Sequence, residues 1–384
     1  MLRNGKKSKV ALCLAGGGIT GAMYEIGCLT AIDEIFENNK TVNDFDIFVG
    51  VSAGAIVSTL LANEYGTREL FDGIINESSA LNFKRKNIYN LRWSEIFRAV
   101  LPIFTRLPRL LWYGWVNRKQ ATTMDLLSIL QEFIPAGVFS LNNLDRFISG
   151  LLYPEGKTND FRNLKRKLYI PATNLDSGER VVFGEDDDTV PISTAVAASA
   201  AIPLFFRPLE INGVDYVDGS TRQVAHMDIA IRNGARLIII INPTVPMKND
   251  VTQARLPTFD GEVSRLRDKG MGAIAEQTRR IETRTRFEQG FERFRHKHPD
   301  IDYIVIEPEP TDSVLFLHGV MEFKSRKKIL DYGYNSTVAN LRSEFRKYKT
   351  LFEKHGFRVK KDLFPENGPA VDQPQSETQV KLPG

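Results

Sequence analysis

The stretch over residues 45–62, Phe-Asp-Ile-Phe-Val-Gly-Val-Ser-Ala-Gly-Ala-Ile-Val-Ser-Thr-Leu-Leu-Ala, constrains this chain more than any other. Its apolar run over 47–49 predicts a short buried strand. The run meets Gly50-Val51-Ser52-Ala53-Gly54 and passes directly into small residues with helical periodicity. This is a G-x-S-x-G pattern in the context that gives it meaning, between a strand and a helix. A strained serine in such a turn brings neighbouring backbone too close for a Cβ, hence glycine on both sides. The hydroxyl of Ser52 is then exposed at a helix N-terminus, where N–H groups and the helix dipole favour a developing negative charge. A glycine-rich βα turn with a capping serine has the same five residues, so the pattern alone leaves both readings open.

A chain of 384 residues with 42% hydrophobic content can bury one large α/β domain with an appendage, or two modest ones. No uninterrupted apolar stretch reaches the length of about 18 residues that a transmembrane helix needs. The net charge of +4 is too mild to indicate nucleic acid. Basic residues followed by an apolar run over 10–15 resemble a secretory signal, but three glycines cut that run short, and a first buried strand explains it better. Cys13 and Cys28 are the only cysteines, which fits buried thiols in a reducing, cytoplasmic setting rather than a disulfide framework.

The first strand spans 9–15 and runs into Gly16-Gly17-Gly18-Ile19-Thr20-Gly21, followed by a helical pattern with Met23, Ile26, Leu29 and Ile32 on one face. Gly16, Gly18 and Gly21 fit the dinucleotide fingerprint, but that fold needs an acidic residue at the end of the second strand. Here Asp44 and Asp46 stand at its start. The same glycines serve equally as an oxyanion hole, with the N–H groups of Gly17 and Gly18 converging on an external oxygen. Loop and serine turn would then share the carboxyl edge of adjacent parallel strands, where open α/β sheets bind ligands.

Residues 65–165 break the α/β pattern and read as a helical insert. A basic patch, Lys84-Arg85-Lys86, precedes a segment over 96–115 rich in Leu, Phe and Trp, interrupted by Pro102 and Pro108. Arg106, Arg109, Trp112 and Trp115 in it suit a lid or an anchor at a phospholipid surface, though short helices with snorkelling arginines fit the same composition. Strands return at 168–174 and 180–183, and an alanine-rich helix over 194–201 makes Ser199 a packing residue. Asn212-Gly213 predicts a hairpin that delivers Asp218 at a strand end. A buried strand follows over 236–242. Residues 246–364 form a mainly helical extension with a last strand over 301–307, and 365–384 have the composition of a disordered tail.

A serine nucleophile needs a base. Of five histidines only His226, eight residues after Asp218, lies near the expected edge, and a structural or solvated role suits it best. Asp218 itself is a weak base unless a water-poor pocket raises its proton affinity.

Taken together, Gly16-Gly17-Gly18 with Gly21, Gly50-Val51-Ser52-Ala53-Gly54, the Ala-Ser-Ala-Ala-Ile-Pro203 helix end and Val217-Asp218-Gly219 resemble the patatin-like phospholipase family over about residues 8–245. The resemblance implies a three-layer α/β/α fold around a mostly parallel sheet, with the catalytic domain over 1–245. It implies hydrolysis of lipid acyl esters by a dyad of Ser52 and Asp218, with Gly16, Gly17 and Gly18 as oxyanion hole, Gly50 and Gly54 framing the elbow, and neither metal nor cofactor. Substrate would be a phospholipid or another acyl lipid met at a membrane. Family members carry Arg or Lys where this chain has Thr20, and Ser220 follows the Asp-Gly pair. A soluble esterase or lysophospholipase with the same dyad and a catalytically idle lipid-binding module remain the competing expectations.

Overall fold

The computed structural model describes residues 8–76, 79–88 and 136–360, together with the isolated positions 101, 108, 109, 112 and 116. Most of residues 89–135 of the expected helical insert, and the tail over 365–384, lie outside the described residues.

Five strands run parallel to one another: β1 (Lys9–Leu14), β2 (Ile47–Gly50), β4 (Lys167–Asn174), β9 (Ala235–Ile241) and β12 (Asp302–Ile306). Antiparallel additions are β5 (Arg180–Phe183), β7 (Leu209–Ile211) and β8 (Val214–Asp218). Together they form one sheet in the order β12-β9-β1-β2-β4-β8-β7, with β5 on the other edge of β4. The Asn212-Gly213 turn has φ of 53° and 80°, the left-handed pair that a tight hairpin between β7 and β8 demands.

Both faces are covered, because apolar residues occupy both sides of the central strands. Val10, Leu12 and Leu14 point into one core with α1 (Gly18–Glu34), α2 (Ala53–Ala62) and α6 (Ile192–Ser199). Buried residues of α3 (Thr67–Ile75), α4 (Arg85–Ile88) and α5 (Asn142–Leu151) extend that core. Ala11, Cys13, Ile238 and Ile240 point into the other, with α7 (Met227–Arg232) and Phe287 of α8 (Met271–Lys297). The architecture is therefore α/β with three layers. Cys13 and Cys28 are free thiols, both buried. Asp46 at the start of β2 accepts from the Val10 N–H (2.9 Å), a structural use at the end remote from Ser52.

One feature carries no signal in the sequence. Short two-stranded ribbons stand apart from the main sheet, one parallel between β3 (Gly137–Phe139) and β6 (Leu204–Phe206), the other a hairpin of β10 (Leu256–Thr258) and β11 (Gly261–Val263). The residues after 245 also share the fold's core. β12 extends the sheet edge, α9 (Val314–Leu317) contributes Leu315, and α10 (Arg326–Ser343) lies along α1. The last contact is backbone against backbone, since a methyl group at Gly333 would lie 2.5 Å from the Tyr24 carbonyl oxygen. Gly333→Val should therefore cost about 1–3 kcal/mol by overpacking, read as a drop of several degrees in Tm. An unchanged midpoint would mean the two helices can separate freely.

Candidate active site

β1 and β2 pair in register Leu14↔Gly50, so their two carboxyl ends emerge side by side. The chain after β1 turns through Gly16, Gly17 and Gly18, all with positive φ, at 78°, 117° and 68°. The chain after β2 turns through Ser52 at φ 56°, ψ −127°, a conformation that costs a non-glycine residue about 1–3 kcal/mol. The two turns touch. A methyl group at Gly16 would lie 2.5 Å from the Val51 carbonyl oxygen and 2.9 Å from Ser52 Cβ. At Gly54 it would lie 2.6 Å from the Leu14 carbonyl oxygen, and at Gly50 it would run into the Gly54 carbonyl.

Asp218 reaches the same place by way of β4. Ala172 faces Val181 and Asp218 at once, so β5 and β8 occupy its opposite edges. Gly219 packs against Val51 and the Pro171 carbonyl, which sets the end of β8 beyond the end of β2. Ser52 and Asp218 are both 3% exposed, and the Ser52 side chain lies near enough to the Asp218 carboxyl to favour its charged form. Asp218 Oδ1 also accepts from the Ser220 N–H (2.8 Å). Burial pushes the Asp218 carboxyl above the usual aspartate range, and the hydrogen bonds from Ser52 and Ser220, with the charge of Arg279, pull against it.

The loop beside this pair has its donors sorted. Ala15 N–H donates to Ile241 (3.1 Å), Ile19 N–H to Val320 (2.8 Å), and Gly16 N–H to Glu25 Oε1 (2.9 Å). Gly16 thus cannot offer its N–H to a substrate, contrary to its expected place in an oxyanion hole. The N–H groups of Gly17 and Gly18 have no partner among the described residues. Thr20 is buried, with its hydroxyl 3.5 Å from the Gly17 carbonyl oxygen, so it faces the loop rather than a ligand.

Five supporting residues escaped the sequence. Ser199, expected only to pack, accepts from the Ser52 N–H (2.9 Å) and donates to the Pro171 carbonyl (2.6 Å), pinning the strained turn to β4. Glu25 is fully buried, and burial pushes its carboxyl well above the ordinary glutamate range. Val320 closes over Gly18, and Met321 lines the cavity beside Ser52. His226 is wholly buried rather than solvated. Its Nδ1 accepts from Arg180 (3.3 Å), whose guanidinium is bidentate on Asp228 (3.0 and 2.7 Å). Because an arginine only donates, Nε2 carries the proton and donates to the Gly219 carbonyl (3.3 Å). His226 thus braces the turn after Asp218 and has no contact with Ser52 in its hydrogen bonding.

From Ser52 a narrow apolar cavity of about 40 Å³ runs between α1 and α2, past Ile19, Met23 and Ile56 towards Phe83 and Leu144. A larger cavity of about 510 Å³ lies beside β12, lined by Phe291, Tyr303 and Tyr348, and contains none of these residues. Arg109 and Trp112 are exposed, while Arg106 and Trp115 lie outside the described residues. No group of His, Cys, Asp and Glu among the described residues is arranged to hold a metal ion.

Residues 12–231, more than half of the 384, match the family model described as patatin-like phospholipase. The chain is 25% identical over 210 residues to a cGAMP-activated phospholipase of Escherichia coli, covering 51% of this chain and 47% of that protein. It is 23% identical to a cGAMP-activated phospholipase of Vibrio cholerae, covering 51% and 49%. The chain thus spans about half the length of these relatives. Among solved structures it is similar to VipD from Legionella pneumophila, with a TM-score of 0.37 and 15% identity over 88% of this chain and 67% of that one. Human GIVD cytosolic phospholipase A2 gives 0.38 and 11%, over 92% and 61%. Both superpositions are loose.

Two outcomes test the bracing. Ser199→Ala strands a buried N–H and a buried carbonyl, and should cost about 1–3 kcal/mol in urea unfolding; no loss would mean the turn is held otherwise. For His226, burial and the Arg180 charge push the imidazole down to about 3, against 6.5 when unfolded. Between these values the unfolded chain binds the extra proton, so stability falls as pH drops below 6.5. Between 6.5 and about pH 5 His226 should contribute up to about 2 kcal/mol to that loss. His226→Gln should flatten this slope; an identical slope would mean the imidazole protonates in the folded state.

Proposed function

The chain belongs to the patatin-like phospholipase family, and from that we propose that it is a serine-dependent lipid acyl hydrolase working through a dyad of Ser52 and Asp218. The observation that carries the reading is the burial of Ser52 next to the Asp218 carboxyl, beside two N–H groups that no described residue engages. The cavity beside Ser52 is small but lined almost wholly by apolar residues, which favours an apolar group there over a polar one.

In this mechanism Ser52 Oγ attacks the ester carbonyl carbon while its proton passes to Asp218. A carboxylate of ordinary pKa would be a poor base, and burial corrects this by favouring the protonated form. The tetrahedral oxyanion accepts from Gly17 and Gly18 N–H, at the positive end of α1. Asp218 returns the proton to the departing alkoxide, leaving the acyl group on Ser52. Water then attacks that ester, Asp218 takes its proton, and Ser52 is regenerated as the fatty acid leaves. His226, kept neutral and held between Arg180 and Gly219, has no part in proton transfer. The lipid is met at a membrane surface as a peripheral association, with exposed Arg109 and Trp112 in the insert that precedes β3. No helix among the described residues is long and apolar enough to cross a membrane.

Ser52→Ala and Asp218→Asn should each remove ester hydrolysis by about a thousandfold or more, whereas His226→Ala should keep it within about tenfold. Product analysis by mass spectrometry of a lipid extract treated with each protein reads this directly. A His226 loss equal to that at Ser52 would assign the base to histidine. The acid limb of kcat/KM on a short soluble ester should lie above 3.8, since Asp218 must be ionised to accept the proton and burial raises its pKa. A limb at or below 3.8 would exclude Asp218 as the base.

A further inference from the structure

The β3–β6 ribbon leaves an apolar edge in water. Along β6, Phe206 turns inward and packs on Phe139, with ring centroids 6.2 Å apart. Phe205 and Val138 then face outward, as the period of two requires. Leu204 breaks that alternation. It should share the inward side with Phe206, yet it is 83% exposed, because its backbone is left-handed at φ 72°. A large apolar residue is thereby held in water by a conformation costing about 1–3 kcal/mol, the kind of strain that persists where surrounding structure enforces it. Gly137 opposite allows the approach, since a side chain there would run into the Phe206 backbone.

This edge is continuous with the cavity at Ser52. Ile202 and Phe206, which bracket Leu204 and Phe205 in sequence, both line that cavity. A rim of positive charge adjoins it. Lys84, Arg85 and Lys86 are exposed between Phe83 and Ile88, two further lining residues. Asn143, at the start of α5 and four residues after β3, donates to the Lys86 carbonyl (2.9 Å) and ties the cationic start of α4 to the helix that follows the ribbon. Exposed leucine and phenylalanine beside three cations, around the mouth of an apolar cavity, match the layering of an anionic lipid leaflet. Acyl chains take the apolar tip, and headgroup phosphates take the cations.

We propose that Val138, Leu204 and Phe205, with Lys84, Arg85 and Lys86, form the surface that docks this protein on an anionic phospholipid membrane, with the mouth of the Ser52 cavity facing the lipid. The docking surface rests on the reading of that cavity as the acyl site, and its partner is the bilayer itself rather than a protein.

The test is co-sedimentation of the full chain with vesicles of phosphatidylcholine alone and of phosphatidylcholine mixed with phosphatidylglycerol, alongside turnover of p-nitrophenyl butyrate. Leu204→Gly with Phe205→Ser removes both apolar side chains, and glycine accepts the left-handed backbone without strain. Leu204→Asn, also tolerant of that backbone, is the second variant. The double variant should bind both vesicle types about tenfold or more weakly, with its Tm no lower and its butyrate turnover kept. Lys84→Glu with Arg85→Glu and Lys86→Glu should lose about tenfold or more on the anionic vesicles alone, an effect that added salt diminishes. Wild-type protein that ignores vesicles, or apolar variants that bind as wild type does, would overturn the docking surface while butyrate turnover leaves the hydrolase reading standing. Vesicle binding lost in the variants of a protein that turns over neither butyrate nor lipid would do the reverse.

Discussion

The contact between Gly16 and the Val51–Ser52 peptide is the constraint on which the site depends. Two parallel strands deliver two turns to one place, and the turns can meet only because one of them carries no side chain there. A methyl group at Gly16 would push the loop from Ser52, and with it the N–H groups of Gly17 and Gly18. The strain at Ser52 is then held by bonds remote in sequence: its N–H donates to Ser199, 147 positions away, which is itself anchored on Pro171. Strained backbone persists where neighbours over-determine it. Here the neighbours are a glycine, a serine and a strand edge.

Asp218 illustrates how burial and hydrogen bonding divide the work on one carboxyl. Burial alone would keep it protonated, and the donors from Ser52 and Ser220 favour the charged form. The carboxyl is left between these two opposing influences, with burial the larger. Glu25, bonded to the start of the glycine loop, shows the contrasting case. Fully buried, with one oxygen on the Gly16 N–H and the other without a partner among the described residues, it is pushed well above the ordinary glutamate range.

What was legible in the sequence followed from local rules. Residues 45–54 could be read because a strand, a glycine pair and a helix occupy consecutive positions, each with its own signal. Asp218 could be placed because Asn212-Gly213 specifies a hairpin whose second strand ends there. The supports of the site could not be read, since Ser199, Glu25 and His226 matter through partners brought near only by the fold. The period-two rule also misleads at Leu204, where positive φ reverses the outward and inward faces. That the Gly16 N–H is already engaged likewise needed the position of Glu25, one that spacing alone does not reveal.

The loop around Val320 gives the chain an unusual division of labour. The stretch that matches the family ends at 231, yet the carbonyl that fixes the first turn of α1 and the methionine beside the serine both come from about ninety positions later. Inheritance of the serine, the aspartate and the glycines therefore does not by itself reproduce the enclosure around them. Chains that keep this shared core but differ beyond it would hold the same serine and aspartate under different roofs, so the shape of the cavity can diverge while the core stays unchanged.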